Sequence, residues 1–165
     1  MILGPRRLVL IGAIAAVVLA IIFYPLLVFT PIDVEKVNID LTRVALSSGA
    51  AGDQELTLQI TFTVVNANDI TLTTSKIEYE LFADEKPVGT EILSYEDIPV
   101  NGRPALFPAT SVPLTDSFIL KYSDEKAEIF NIIMTNSTQL DWRVTGNAII
   151  ESGTTFVPKE FSDEL

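Results

Sequence analysis

Leu56-Thr57-Leu58-Gln59-Ile60-Thr61-Phe62-Thr63-Val64-Val65-Asn66-Ala67-Asn68-Asp69 is the stretch on which the fold turns. Apolar residues at 56, 58, 60, 62 and 64 alternate with threonine or glutamine. A period of two puts one set on a buried face and the other on a more polar one, which is the signature of a half-buried β-strand. Threonine suits the solvent side of such a strand because its branched Cβ fits the pleated surface. Asn66 to Asp69 is a cluster of turn-forming residues, so the strand ends there.

Working outward, similar alternation predicts strands over Val37–Leu46, Ser75–Ala83, Pro87–Leu93, Val112–Leu120 and Leu140–Ile150, with a last short strand at Thr155–Val157. Asp84 to Pro87 reads as a hairpin turn, Ser47 to Asp53 as a glycine-bearing loop, Gly146 as a bulge and Gly153 as a turn. The stretch from Asp97 to Thr110 holds three prolines and Asn101-Gly102, which predicts connection rather than central strand. One helix is expected, capped by Ser123, with Asp124 and Glu125 in its first turn, an apolar stripe of Ala127, Phe130 and Ile133, and an end at Asn136. About seven strands and one short helix predict an all-β domain, a fibronectin/immunoglobulin-like antiparallel β-sandwich.

Before that domain the pattern is different. Leu8 to Phe29 carries no formal charge and is almost wholly apolar. A helix of that length spans about 30 Å, the thickness of a bilayer's hydrocarbon core. No small-x-small cleavage site follows it, so a retained transmembrane anchor is expected rather than a cleaved signal. Arg6 and Arg7 precede it and the next basic residue is Lys36, which places the N-terminus in the cytoplasm and the domain outside. The expected organisation is therefore a cytoplasmic segment 1–7, a transmembrane helix 8–29, a sandwich 32–157 and an acidic frayed tail 158–165. The expected location is the cell membrane, crossed once, with the lipid bilayer as first partner.

Composition removes whole classes of chemistry. The 165 residues include no cysteine and no histidine, so no disulfide, thiolate nucleophile, histidine-dependent triad or Cys-based metal site can be built. All 22 acidic residues and 9 of the 11 basic ones lie beyond residue 30, giving 9 − 22 = −13 for the domain. Such a surface repels nucleic acid. Carboxylates at Asp33, Glu35 and Asp40, and at Glu78 and Glu80, belong on a solvated surface; no pair of them marks a catalytic cleft. No catalytic residue, metal or cofactor is expected, and the protein is read as non-enzymatic.

The remaining candidates are few. Asn66, Asn68 and Asp69 form a polar loop, plainly read as turn and backbone capping, more sharply as a cation site built from oxygen ligands. Phe107, between two prolines, is the best candidate for an exposed apolar contact, and completes a candidate binding loop. Trp142 and Phe118 are expected in the core. Asn136-Ser137-Thr138 matches the N-glycosylation acceptor pattern.

The order of these features, with Asn66-Ala67-Asn68, Tyr79, Lys86-Pro87, Val88-Gly89, Ile98-Pro99 and the helix from Ser123, resembles the LEA14-like domain. That domain is also called the water-stress and hypersensitive-response (WHy) domain, of the second class of late-embryogenesis-abundant proteins. The family pattern has Asn-Pro-Asn where Ala67 interrupts it here. The resemblance covers about 32–157 and implies a fibronectin-like sandwich without catalytic residues, often membrane-tethered, associated with desiccation and osmotic stress; an archaeal source is compatible with it. The alternative is an accessory or scaffold subunit of a membrane complex, for which Gly12 and Ala16 offer a small-x-x-x-small spacing to other membrane proteins.

Overall fold

The alternating stretch forms β2, Glu55–Asn66, and sits at the middle of a three-stranded antiparallel sheet between β1, Val37–Ser48, and β6, Thr110–Lys121. Leu56, Leu58, Ile60, Phe62 and Val64 are all fully buried. The computed structural model describes residues 5–28, 31–49, 54–99 and 102–165. The chain divides into two compact units, Met1–Pro31 and Ile32–Leu165. Phe29, residues 50–53 of the expected glycine loop and Asn101 lie outside the described residues, as do the side chains of Arg6 and Arg7.

The second sheet runs β4 (Lys86–Ser94), β3 (Leu72–Ala83), β7 (Trp142–Ser152), β8 (Thr155–Glu164), with the two-residue β5, Ala105–Leu106, also paired to β3. All pairings are antiparallel. The inward faces of the two sheets share one apolar core. Four rings knit it: Phe62 meets Tyr79 edge to face at 5.0 Å and Phe161 at 5.9 Å, while Tyr79 meets Phe118 at 6.4 Å. Edge-to-face contacts of this kind add to plain burial because the positive edge of one ring meets the negative face of the other. This is an antiparallel β-sandwich with one short α-helix.

Several boundaries differ from expectation, each for a physical reason. Residues 158–165 are not a frayed tail. They complete β8, which pairs with β7 from Ser152↔Thr155 to Arg143↔Glu164. Val157, Lys159, Phe161 and Asp163 turn inward on an edge strand, where Lys159 and Asp163 can reach water past the rim. Gly146 is not a bulge: its register with Tyr79 and Phe161 is unbroken. A Cβ there would collide with the Glu78 carbonyl and the Phe161 ring, so the glycine makes room for an aromatic neighbour. The helix, α2, spans Ala127–Asn136 behind a 3-10 turn at Asp124–Lys126 that Ser123 caps. It buries Ile129, Phe130 and Ile133, so Ile129 takes the place expected for Ala127 on a face of period 3.6. The hairpin turn expected over Asp84 to Pro87 narrows to Asp84 and Glu85, both at positive φ, +48° and +65°, because Lys86 and Pro87 already pair with β3.

The first unit is a helix, α1, Pro5–Val28. Among the described residues no helix is long and apolar enough to cross a membrane. Within α1 the side chains described are those of residues 9–23, about 22 Å of helix against the ~30 Å of a hydrocarbon core. Those side chains are apolar or small throughout.

Candidate functional site

Strand ends bring the four residues of the predicted binding loop together. The chain enters the sandwich at Ile32 and Asp33, beside the end of β2, the start of β3, the β5–β6 connection and the β7–β8 turn. We call this the entry end. Asn66, the last residue of β2, is fully buried there. Its Nδ2 donates to the carbonyl oxygens of Ile70 at 2.8 Å and Leu106 at 2.9 Å, with a longer contact to Phe107 O at 3.3 Å. Its Oδ1 accepts from the Asn68 N–H at 2.9 Å. Asn68, also buried, makes a reciprocal pair with the backbone of Asp33: Oδ1 accepts from Asp33 N at 3.0 Å and Nδ2 donates to Asp33 O at 3.1 Å. Ala67 N donates to Lys36 O.

The two asparagines thus act as clamps. Each spends both ends of its amide on main-chain groups, as buried polar groups require. A proline at 67 would forfeit the bond from Ala67 N to Lys36 O, so alanine here has a structural use. Asp69 is exposed in the same loop. Among the described residues no group of three or more acidic side chains is placed to hold a metal ion.

Phe107 is held out by this scaffold. Phe107-Pro108-Ala109-Thr110 is a β-turn: Thr110 N–H and Oγ1–H both donate to Phe107 O, at 3.2 and 2.8 Å. Ala109 sits in the left-handed region, φ +55°, where a Cβ is strained. The Phe107 side chain is 59% exposed. Two further apolar side chains that sequence reasoning did not single out share this end, Phe156 at 62% and Ile98 at 40% exposed. Register places Phe156 on the row Ala105–Thr73–Glu151–Phe156 across the second sheet.

Ile98 belongs to a loop fastened by one side chain. Arg103 donates from Nε to Ile98 O at 2.8 Å, from Nη2 to Glu96 O at 3.2 Å, and from Nη1 to Glu151 Oε2 at 2.7 Å. Both partners of the ion pair are nearly buried. The guanidinium fork is suited to three such bonds in one plane, and lysine is not.

The other predicted residues lie elsewhere. Asn136 is exposed at the C-terminal end of α2, followed by a turn in which Gln139 N bonds Asn136 O. Glu78 and Glu80 stand on the outer face of the second sheet, lining with Thr90, Ile92, Thr145 and Asn147 a shallow depression of about 660 Å³. Glu78 is paired there with Lys76 at 2.7 Å. Trp142 and Phe118 are in the core, and Trp142 Nε1 donates to Ser137 O at 3.0 Å.

The most perturbed titrating group is also structural. Tyr79 reaches across the core from β3, and its hydroxyl donates to Asp116 Oδ2 on β6 at 2.8 Å. Burial, reinforced by the Asp116 charge, pushes this phenol far above the ordinary tyrosine value. Tyr95 is pushed up in the same direction by its own burial and by Asp116.

No family model matches the chain, and no curated protein matches it. Solved structures resemble its course at low identity. A crystal structure of a protein from Archaeoglobus fulgidus is similar over 76% of this chain and 94% of its own, at 19% identity and a TM-score of 0.46. A solution structure of an Arabidopsis thaliana protein covers 78% of this chain and 76% of its own, at 12% identity and 0.46. A solution structure of a protein provisionally classed as late embryogenesis abundant covers 94% of this chain and 86% of its own, at 12% identity and 0.47. Likeness of this degree concerns the path of the chain and says nothing of activity.

Proposed function

We propose that this protein is a non-enzymatic domain tethered to the outer face of the cell membrane, with α1 as its single membrane crossing. The observation that carries the reading is the division of the chain into a helix and an independent sandwich joined by a short connection. The uncharged run Leu8–Phe29 supplies the apolar length for a crossing, and Arg6 with Arg7 supplies the cytoplasmic charge. Full-length protein should stay in the membrane through an alkaline carbonate wash. A cysteine introduced at Ser48 should react with an impermeant maleimide on intact cells. Release by the wash, or a cysteine reactive only after lysis, contradicts the reading.

The role within that frame is protection or binding under desiccation or osmotic stress. Its support is the resemblance carried by Asn66-Ala67-Asn68 and the elements that follow. A deletion strain should lose viability relative to its parent after drying or a salt shift. Equal survival removes the stress role and leaves an accessory subunit of a membrane complex, which crosslinking in native membranes would then recover with its partners.

A further inference from the structure

We propose that the entry end of the sandwich rests on the lipid interface, with Phe107 as its inserted side chain and Phe156 and Ile98 beside it. The inference builds on the tethered reading above and adds a contact surface to it.

Chain length limits which surface can touch a bilayer. Helix α1 ends at Val28, and Asp33 is already fastened to Asn68. Five Cα steps separate them, a reach of at most about 18 Å. The strands β1, β2, β3 and β6 are each 12 residues long, so the opposite end of the sandwich lies about 40 Å further on. Exposed apolar residues at that far end, such as Tyr122 and Leu165, reach the lipid only if the whole sandwich lies on its side. Phe107 needs no such tilt: its carbonyl is held by Asn66, two residues from the asparagine that fastens Asp33.

The presentation is rigid, which matters because an inserting loop loses affinity to every rotor it must freeze. Phe107 O takes bonds from Asn66 and twice from Thr110, and Ala109 is held in a strained conformation beside it. Arg103 fixes the Ile98 loop in the same way. Phe156 lies three strand spacings from Ala105 along one sheet row, about 14 Å away, so these side chains form a broad footing. Charge narrows the lipid. Asp69, Glu96 and Asp97 are exposed at this end, while Asp33 lies 4.0 Å from Lys36, so a zwitterionic or neutral surface is favoured over an anionic one.

The chain has no cysteine, so single labels are unambiguous. Full-length F107C, F156C and S48C would each carry a small environment-sensitive dye and be reconstituted in phosphatidylcholine vesicles with or without spin-labelled lipid. The labels at 107 and 156 should lose emission to the spin label, and the label at 48 should not. A dye can itself seek lipid, so F107D in the F156C background is the second arm. It should restore emission at 156, while unchanged emission from buried Trp142 reports an intact sandwich. If 107 and 156 are quenched no more than 48 in protein that resists the carbonate wash, the footing is wrong and the tether stands. Undiminished quenching at 156 in F107D also overturns the role given to Phe107. Protein released by the wash overturns the tether and the footing together.

Discussion

Asn66 does the work of several turn residues at once. One buried side chain satisfies carbonyls from two other segments and the N–H of Asn68, and through them it positions the turn that carries Phe107. Asn66→Ala would remove this partner from the Ile70 and Leu106 carbonyls and the Asn68 N–H, a loss of about 3 kcal/mol given the cost of each unmade bond. Urea denaturation of the full chain in detergent should show that fall in midpoint. Asn66→Asp should be no better, since a carboxylate cannot donate to the carbonyls. Tyr79 supports a different test. Its folded phenol is raised and stays neutral, whereas the unfolded phenol ionises near pH 10. Above that pH the unfolded state binds fewer protons, so stability is full below about pH 10 and falls as pH rises. Tyr79→Phe should flatten the alkaline limb of a stability–pH curve, at a neutral-pH cost of about 1 kcal/mol for the lost bond to Asp116. Sequence shows that Asn66 ends a strand and that Tyr79 faces inward. It does not show their distant partners, which lie 37 to 41 residues away.

Elements differ in how openly they announce themselves. β2 is legible because one face is wholly core, and its period survives without exception from Leu56 to Val64. β8 is not, because an edge strand tolerates Lys159 and Asp163 on its inner side, and the charge reads as a solvated tail. β5 has two residues between prolines and offers no period at all. The loop fastened by Arg103 is likewise invisible, since its ion pair joins residues 48 apart. Arg103→Met should destabilise the sandwich by about 3 kcal/mol by stranding the buried Glu151 carboxylate. Arg103→Met with Glu151→Met should recover much of that loss, because the pair's desolvation is removed with its attraction. Thermal melts of the four members of this cycle would read the coupling directly, and additive losses would contradict it.

At the scale of the molecule the feature to weigh is how the sandwich ends sideways. The strand prolines fall on edges: Pro87 in β4, Pro113 in β6 and Pro158 in β8. Three backbone N–H groups on edge strands are met by carboxylates instead of another strand. Leu41 of β1 donates to Asp163, Ile92 of β4 to Glu91, and Ser117 of β6 to Asp116, at 2.7, 3.1 and 2.8 Å. Lys126 covers a carbonyl of β4 in the same manner, at Val88. An unpaired edge is a template for another chain, and inward-turned charge and proline are the usual ways of closing it. Glu91→Val should therefore raise self-association, seen as increased light scattering at neutral pH with little change in melting temperature.

Held by α1 as proposed, many copies would stand at one height on one sheet of lipid, flank against flank. Confinement to a plane removes the tumbling that keeps strand borders apart in solution, and drying or salt crowds that plane further. Distributing the guard over four edge strands by proline and carboxylate means that losing one group bares only a short gap, not a continuous seam. The acidity of the chain then has a social use: it lets a dense layer remain a collection of separate molecules.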